Sequence, residues 1–152
     1  MSYPCELKEQ AAQPTLTVRA TTSVQGLPQV LGQAYGAVAQ YLGQMGEQPA
    51  GPPFALYHNM DMQALDVEVG FAVAHMLPGQ GELQASEIPA GKYASVLYTG
   101  PYDQCRPAYE ALTQFVQDSH CEAAGASYEF YLNDPQLTPP QELQTLIVFP
   151  LK

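Results

Sequence analysis

The feature that most constrains what this chain can fold into is an internal repeat. Three pairs of segments match, the first two at a single offset of 74 positions and the third more loosely: residues 34–42 with 108–116, 54–59 with 128–133, and 67–73 with 145–151. Two copies at so long a period are too few for a solenoid. The repeat therefore predicts one domain, residues 1–152, made of two similar halves at about residues 13–77 and 82–152.

The sequence of each half predicts the same order of elements: strand, helix, strand, strand. In the first half, the β-branched residues 15–22 predict a strand, and apolar residues recur at helical spacing from Pro28 until Gly46. The same patterns predict the other elements: strands at 54–59, 66–74, 83–88, 92–99, 127–133 and 142–151, and a helix at about 103–120. This predicts an α+β fold with an antiparallel sheet and two helices on one side. If the halves meet about an approximate two-fold axis, a ligand cleft lies between them.

The first predicted helix contains three glycines, which lower helix propensity: Gly32, Gly36 and Gly43. Close packing of this helix on its sheet is the favoured explanation, ahead of a flexible hinge.

Charge and cysteine content exclude several functional classes. The chain has 15 acidic and 5 basic residues, a formal net charge of −10, so direct DNA binding is not expected. Without a membrane-length apolar run or a secretory signal, we predict a cytoplasmic protein with no membrane contact. The three cysteines form no Cys-x-x-Cys pair and the three histidines show no ligand spacing, so neither a disulfide framework nor a metal site is expected. The segment 79–81 lacks the setting of a phosphate loop, and no cofactor is expected.

The matched strands suggest where chemistry could lie. Alternation places Ala55 and Tyr57 on one strand face, and the repeat relates them to Glu129 and Tyr131. We expect the opposite, more apolar faces to pack against the helices. A lone carboxylate in a strand among aromatic residues is unusual, because unpaired buried charge is costly. Glu129 is thus either a pocket acid that receives a cation or acts as a base, or a solvated residue on an exposed strand face.

Further candidates are less specific. Glu68 lies between two valines, so its side chain points away from theirs. It is either a second pocket acid or a solvated residue, and the second is favoured because glutamate is mostly exposed. Three aromatic residues complete the candidate ligand-binding set: Tyr98, Phe71 and Phe149.

Three ordered motifs resemble the GyrI-like small-molecule-binding family: Tyr98-Thr99-Gly100-Pro101-Tyr102, Ala108-Tyr109-x-x-Leu112-x-x-Phe115, and Tyr128-Glu129-Phe130-Tyr131-Leu132-Asn133-Asp134-Pro135. That family includes the effector-binding domains of multidrug-responsive transcription activators and the gyrase-inhibitory protein. The resemblance implies a tandem strand–helix–strand–strand fold with a groove at the pseudo-two-fold. It also implies a pocket glutamate, which Glu129 matches, set among aromatic residues.

The resemblance implies binding of hydrophobic, often cationic aromatic small molecules, with Glu129 as the counter-charge. One alternative is a hydrolase of electrophilic or strained small molecules, with Glu129 as general base and Tyr131 or Tyr57 as the second group. Another is an inhibitor of a protein partner, by analogy with the gyrase-inhibitory protein. The chain departs from the activators because no helix-turn-helix precedes its first predicted strand, and it has no tryptophan. We expect a monomer or a homodimer.

Overall fold

Antiparallel strand pairs and two helices make up the fold. The computed structural model describes residues 3–23, 25–59, 61, 63–101, 104–133 and 137–152. Within these residues the elements are β1 (Cys5–Gln10), β2 (Gln13–Thr22), α1 (Leu27–Gln44), β3 (Pro53–Tyr57), β4 (Leu65–Ala72), β5 (Gln84–Ile88), β6 (Gly91–Thr99), α2 (Arg106–Asp118), β7 (Ser127–Tyr131) and β8 (Gln144–Pro150). The predicted α+β class is confirmed.

The chain divides into two compact units. The first unit is Ala11–Ala90, with strand order β3-β4-β2-β5; the second unit is Gly91–Lys152 together with Met1–Gln10, with strand order β1-β6-β8-β7. The division falls after β5, whereas the sequence placed it between residues 77 and 82. Strand β5 lies in the first unit because it pairs with β2, and β1, which the sequence did not predict, pairs with β6.

The strand register shows that the sequence repeat is also a structural repeat. Ala55 pairs with Val69 of β4, and Glu129, which lies 74 positions after Ala55, pairs with Ile147 of β8. The next pair on the same strand face repeats this arrangement: Tyr57 pairs with a residue of β4, and the β7 residue 74 positions after Tyr57 pairs with a residue of β8. Each residue of β3 therefore has a structural equivalent in β7.

Both helices have a proline as their second residue and bury one stripe. Each carries proline in its first turn, where a missing N–H costs nothing, and Gly46 follows α1 with a positive φ of 71°. Residues four positions apart form the buried stripes: Ala34, Val38 and Leu42 in α1, and Ala108, Leu112 and Val116 in α2. The expectation for the glycines of α1 is wrong, because all three are exposed and a Cβ at each would meet no neighbouring atom within 4 Å.

Each unit has its own apolar core between its helix and its sheet. The core of the first unit contains Leu16, Val38, Leu42, Val73 and Leu77. The core of the second unit contains Ala94, Val96, Tyr98, Ala108, Leu112, Val116 and Ile147. Because facing residues of paired strands share a sheet face, these cores identify the helix-covered face of every strand.

Candidate functional site

Glu129 lies on the helix-covered face of the second unit. It pairs with Ile147, which is buried in one cluster with Leu112 of α2. The expectation that the other face of β7 would meet the helix is therefore wrong in this unit. Tyr128 and Phe130 occupy that other face, where their rings stack at 6.0 Å. Aromatic residues stand on both faces of β7, so hydrophobic alternation could not identify the helix side.

Two tyrosine hydroxyls hold the Glu129 carboxylate. Tyr131, two residues along β7, donates to Oε1 at 2.9 Å, and Tyr109 of α2 donates to Oε2. The Tyr109 ring packs against Phe149 of β8, with ring centroids 5.9 Å apart. The Glu129 side chain thereby links helix α2 to strand β7.

The surroundings of Glu129 act on its charge in opposite directions. Burial raises the pKa of the Glu129 carboxyl above its ordinary value, because a charged group loses hydration there. The hydrogen bonds from Tyr109 and Tyr131 oppose this change, since they stabilise the ionised form, but burial is the larger effect. A positive charge brought beside such a carboxyl stabilises its ionised form.

Tyr98 and Phe149 share the sheet face of Glu129. Tyr98 pairs with Thr145, which also pairs with Tyr131, and Phe149 packs against the same core. Tyr98 is 4% exposed and its hydroxyl donates to a backbone carbonyl, so this residue presents an aromatic ring rather than a polar group. The structure thus brings four predicted site residues of the second unit onto one face.

Tyr57 and Phe71 lie in the first unit, on the face that α1 covers, so the expectation that the other face of β3 would meet the helix is wrong in this unit as well. Tyr57 pairs with Val67, two residues from the β4 position that faces Ala55. Phe71 faces Leu16 of the core, and its ring meets that of Tyr35 of α1 at 5.6 Å. Their role in ligand binding stays a prediction.

Glu68 lies on the opposite face of the first unit's sheet from Tyr57 and Phe71. The favoured interpretation of a solvated residue is wrong, because Glu68 is 8% exposed. Its carboxylate accepts a hydrogen bond from Thr17 at 2.8 Å and lies 3.1 Å from Nε2 of His58. Burial alone would raise the pKa of Glu68, but hydrogen bonds from Thr17, His58 and Ser86 outweigh it and lower the pKa. Glu68 is thus held charged by its own network.

Tyr109 contacts Glu129 and so belongs to the candidate site, although the sequence analysis did not identify it. It follows the buried Ala108 on α2, so it stands at the flank of the buried stripe. The signal was present in the repeat, where a tyrosine occupies the matching position of both helices, Tyr35 and Tyr109. Helical periodicity identifies only the buried positions of a helix, so it does not single out a residue beside the buried stripe.

Other kinds of site find no support in the described residues. No group of three or more histidine, cysteine, aspartate or glutamate side chains there could hold a metal ion. The helices of that part of the chain are too short or too polar to cross a membrane. Cys5, Cys105 and Cys121, all within the described residues, form no disulfide bond.

A family profile described as "GyrI-like small molecule binding domain" matches residues 3–152. The chain belongs to the GyrI-like family. It is therefore a domain of a small-molecule-binding type, as its motifs predicted. A comparison with curated proteins found no significant match.

Solved structures support this assignment. The crystal structure of the EcmrR C-terminal domain is 26% identical to the GyrI-like chain, covers 100% of it with 99% of its own length, and gives a TM-score of 0.83. EcmrR in a complex with DNA is 25% identical with a TM-score of 0.84, and the match covers 99% of this chain. The chain spans 57% of the length of EcmrR in that complex.

A more distant structure shares the fold alone. SAV2435 bound to tetraphenylphosphonium is 13% identical, with 100% of this chain and 94% of that chain covered and a TM-score of 0.63. Its bound ligand is a lipophilic aromatic cation.

The Gly100-Pro101 segment of the GyrI-like motif contacts the side chain of Tyr98. Gly100 has a φ of 145°, and a Cβ there would lie 2.8 Å from the Tyr98 hydroxyl oxygen. That hydroxyl donates to the Pro101 carbonyl at 2.7 Å. The motif residues Tyr102, Asp134 and Pro135 lie outside the described residues.

Proposed function

We propose that the chain binds lipophilic aromatic cations and that Glu129 supplies the counter-charge. The observation that carries this proposal is a carboxylate on the helix-covered face of a sheet, held by the hydroxyls of Tyr109 and Tyr131. Family membership and the tetraphenylphosphonium complex of SAV2435 support the ligand class.

The chemistry around Glu129 fits a cation that carries apolar groups. The carboxylate neutralises the charge, and each aromatic face adds a cation–π attraction of about 0.5–2 kcal/mol. The rings nearest to this position in the strand register belong to Tyr98, Tyr131 and Phe149. Such contacts do not fix the outline of a ligand, so they accommodate several ligand shapes.

The test compares a cation with a neutral molecule of similar shape. Methyltriphenylphosphonium and triphenylphosphine oxide share three phenyl groups and differ in charge. We expect Glu129→Gln to bind the phosphonium at least about tenfold more weakly, which is about 1.4 kcal/mol, and to bind the oxide almost unchanged. Equal effects on both probes, or none on the cation, would contradict the proposal.

Glu110→Gln is the matched control for this experiment. It removes the same charge from α2, but the Glu110 side chain is 68% exposed and pairs with Arg106. We expect its affinity for the phosphonium to equal that of the parent, because exposed charges are screened by solvent and salt. A similar loss in both variants would indicate a long-range effect of net charge.

A hydrolase is the second candidate function, and the contact between Tyr131 and Glu129 favours it. Glu129 would take a proton from water while the water oxygen bonds to an electrophilic carbon, and a tyrosine hydroxyl would donate to the oxygen that leaves that carbon. Incubation with styrene oxide tests this: a hydrolase forms the diol faster than buffer does, and Glu129→Gln loses that activity. Diol formation at the buffer rate by the parent protein would reject hydrolysis of this substrate class.

A further inference from the structure

We propose that Tyr109 is a positioning residue whose hydroxyl favours the charged form of Glu129 against the effect of burial and thereby sets the pH range over which this site takes a cation. The inference rests on the proposed cation binding at Glu129. Tyr109 reaches the carboxylate from α2, whereas the other hydroxyl donor, Tyr131, belongs to the same strand as Glu129. The hydroxyl of Tyr109 is therefore the link between the helix and the charge of the site.

The duplicated structure provides an internal control for the placement of Tyr109. Tyr35 is its equivalent in α1, and its ring meets Phe71 at 5.6 Å, as the Tyr109 ring meets Phe149 at 5.9 Å. At the position equivalent to Glu129, however, the first unit has Ala55.

A tyrosine thus makes a helix-to-strand ring contact at a similar centroid distance whether or not an acid stands at that β-strand position. Ring packing, rather than the carboxylate, accounts for where Tyr109 lies. Its hydroxyl is consequently placed before Glu129 ionises, and little conformational freedom is lost when the hydrogen bond forms.

The groups around Glu129 explain why this hydroxyl controls the charge. Within the part of the chain that the structure describes, the titratable groups that hydrogen-bond the carboxyl are Tyr109 from α2 and Tyr131 from β7, and the facing residue on β8 is the uncharged Ile147. The ion pairs of the described residues do not include Glu129. Burial favours the protonated acid, and the hydroxyl donors favour the carboxylate.

The consequence is a proton-linked affinity. A protonated Glu129 cannot neutralise a cation, so binding weakens as pH falls through the titration of this group. Tyr109→Phe retains the ring that packs on Phe149 and removes the hydroxyl. In this variant Glu129 ionises only at higher pH, so the pH profile of cation affinity also shifts to higher pH.

The experiment records the affinity for methyltriphenylphosphonium against pH in the parent, Tyr109→Phe and Tyr35→Phe. This cation carries no titratable group, so the profile reports the protein. We expect Tyr109→Phe to shift the profile to higher pH, with affinity reduced at least about threefold on the sloping part and unchanged on the high-pH plateau. Tyr35→Phe should follow the parent.

A ligand-free measurement separates this inference from the proposed function. Carbon-13 NMR of labelled glutamate carboxyls, with the Glu129 signal assigned by its loss in Glu129→Gln, gives the titration directly. A Glu129 midpoint that does not rise in Tyr109→Phe, or rises equally in Tyr35→Phe, would overturn the role of Tyr109. A raised midpoint together with cation affinity that ignores Glu129→Gln would overturn the proposed function and leave the positioning role intact.

Discussion

Glu129 and Glu68 both lie on strands among buried residues, but their neighbours shift their pKa values in opposite directions. Glu68 accepts hydrogen bonds from Thr17, His58 and Ser86, and these outweigh burial. Glu129 has two hydroxyl donors, and burial outweighs them. Residue type alone did not distinguish the two acids; their partners do.

Replacement of Glu129 by glutamine should remove the destabilising effect of a buried, ionised carboxyl. Because the folded state raises the pKa of this carboxyl, it holds the proton more tightly than the unfolded chain, and stability declines as pH rises from the ordinary carboxyl value through the folded one. Glu129→Gln should lack this decline and equal or exceed the parent in stability at neutral pH. Urea unfolding across a pH series measures this, and a variant clearly less stable than the parent at neutral pH would count against it.

Glu68→Gln should behave in the opposite way. The lowered pKa means that Glu68 contributes stability above its unfolded value, and this contribution disappears as pH falls through the folded value. We expect a loss of about 1–3 kcal/mol at neutral pH, because hydrogen bonds to a buried charge are replaced by weaker ones. The gap to the parent should close in acid, and the same unfolding series would show a constant gap if the charge were irrelevant.

At the scale of elements, the exposed glycines of α1 offer a simple test. Gly36 is exposed, and a Cβ there would meet no neighbouring atom within 4 Å. Gly36→Ala should therefore raise the free energy of unfolding by up to about 1 kcal/mol through helix propensity.

Gly70→Ala is the matched contrast in β4. A Cβ at Gly70 would lie 1.9 Å from the carbonyl oxygen of Leu16, so the strands could not keep their separation. We expect loss of folded protein. Thermal unfolding compares the two variants, and a destabilised Gly36→Ala would show that α1 needs glycine for a reason other than its helical conformation.

The elements also show how far sequence reasoning reaches. Helical spacing predicted both helices, because each has to bury one stripe against a sheet. Strand β1 escaped notice because its sequence, CELKEQ, is mostly polar and alternates over only its first four residues, which is too short a pattern to predict a strand. The face that meets α2 also escaped, because both faces of β7 carry aromatic residues and only pairing with β8 decides between them.

At the scale of the whole molecule, the repeat predicted a duplication but not where the units divide. The matched segments cover helices and central strands, whereas β1 and β5 lie outside them. Strand β5 pairs with β2, and β1 pairs with β6. These pairings are made by hydrogen bonds between residues far apart in the chain, so a local sequence pattern does not show them. The sequence singled out Glu129 because the repeat sets this acid against an alanine. It did not single out Tyr109, because the repeat sets it against another tyrosine and does not show which of the two tyrosines faces an acid.

A fragment of residues 1–77 should fail to fold on its own. It contains β1 without its partner β6, and it lacks β5, which pairs with residues 13–17 of β2. A fragment this short also buries proportionally less surface. We expect no cooperative thermal transition as a monomer by circular dichroism, and a cooperative, monomeric transition would contradict the strand assignment.

The location of a bound cation tests the central claim most directly. Tetraphenylarsonium has the shape and charge of the phosphonium ligand, and its arsenic atom can be placed by anomalous diffraction from a crystal of the complex. The account predicts arsenic about 4–6 Å from the Glu129 carboxylate, within reach of a direct charge interaction. Arsenic bound at full occupancy elsewhere, with no density beside Glu129, would show that this glutamate is not the counter-charge.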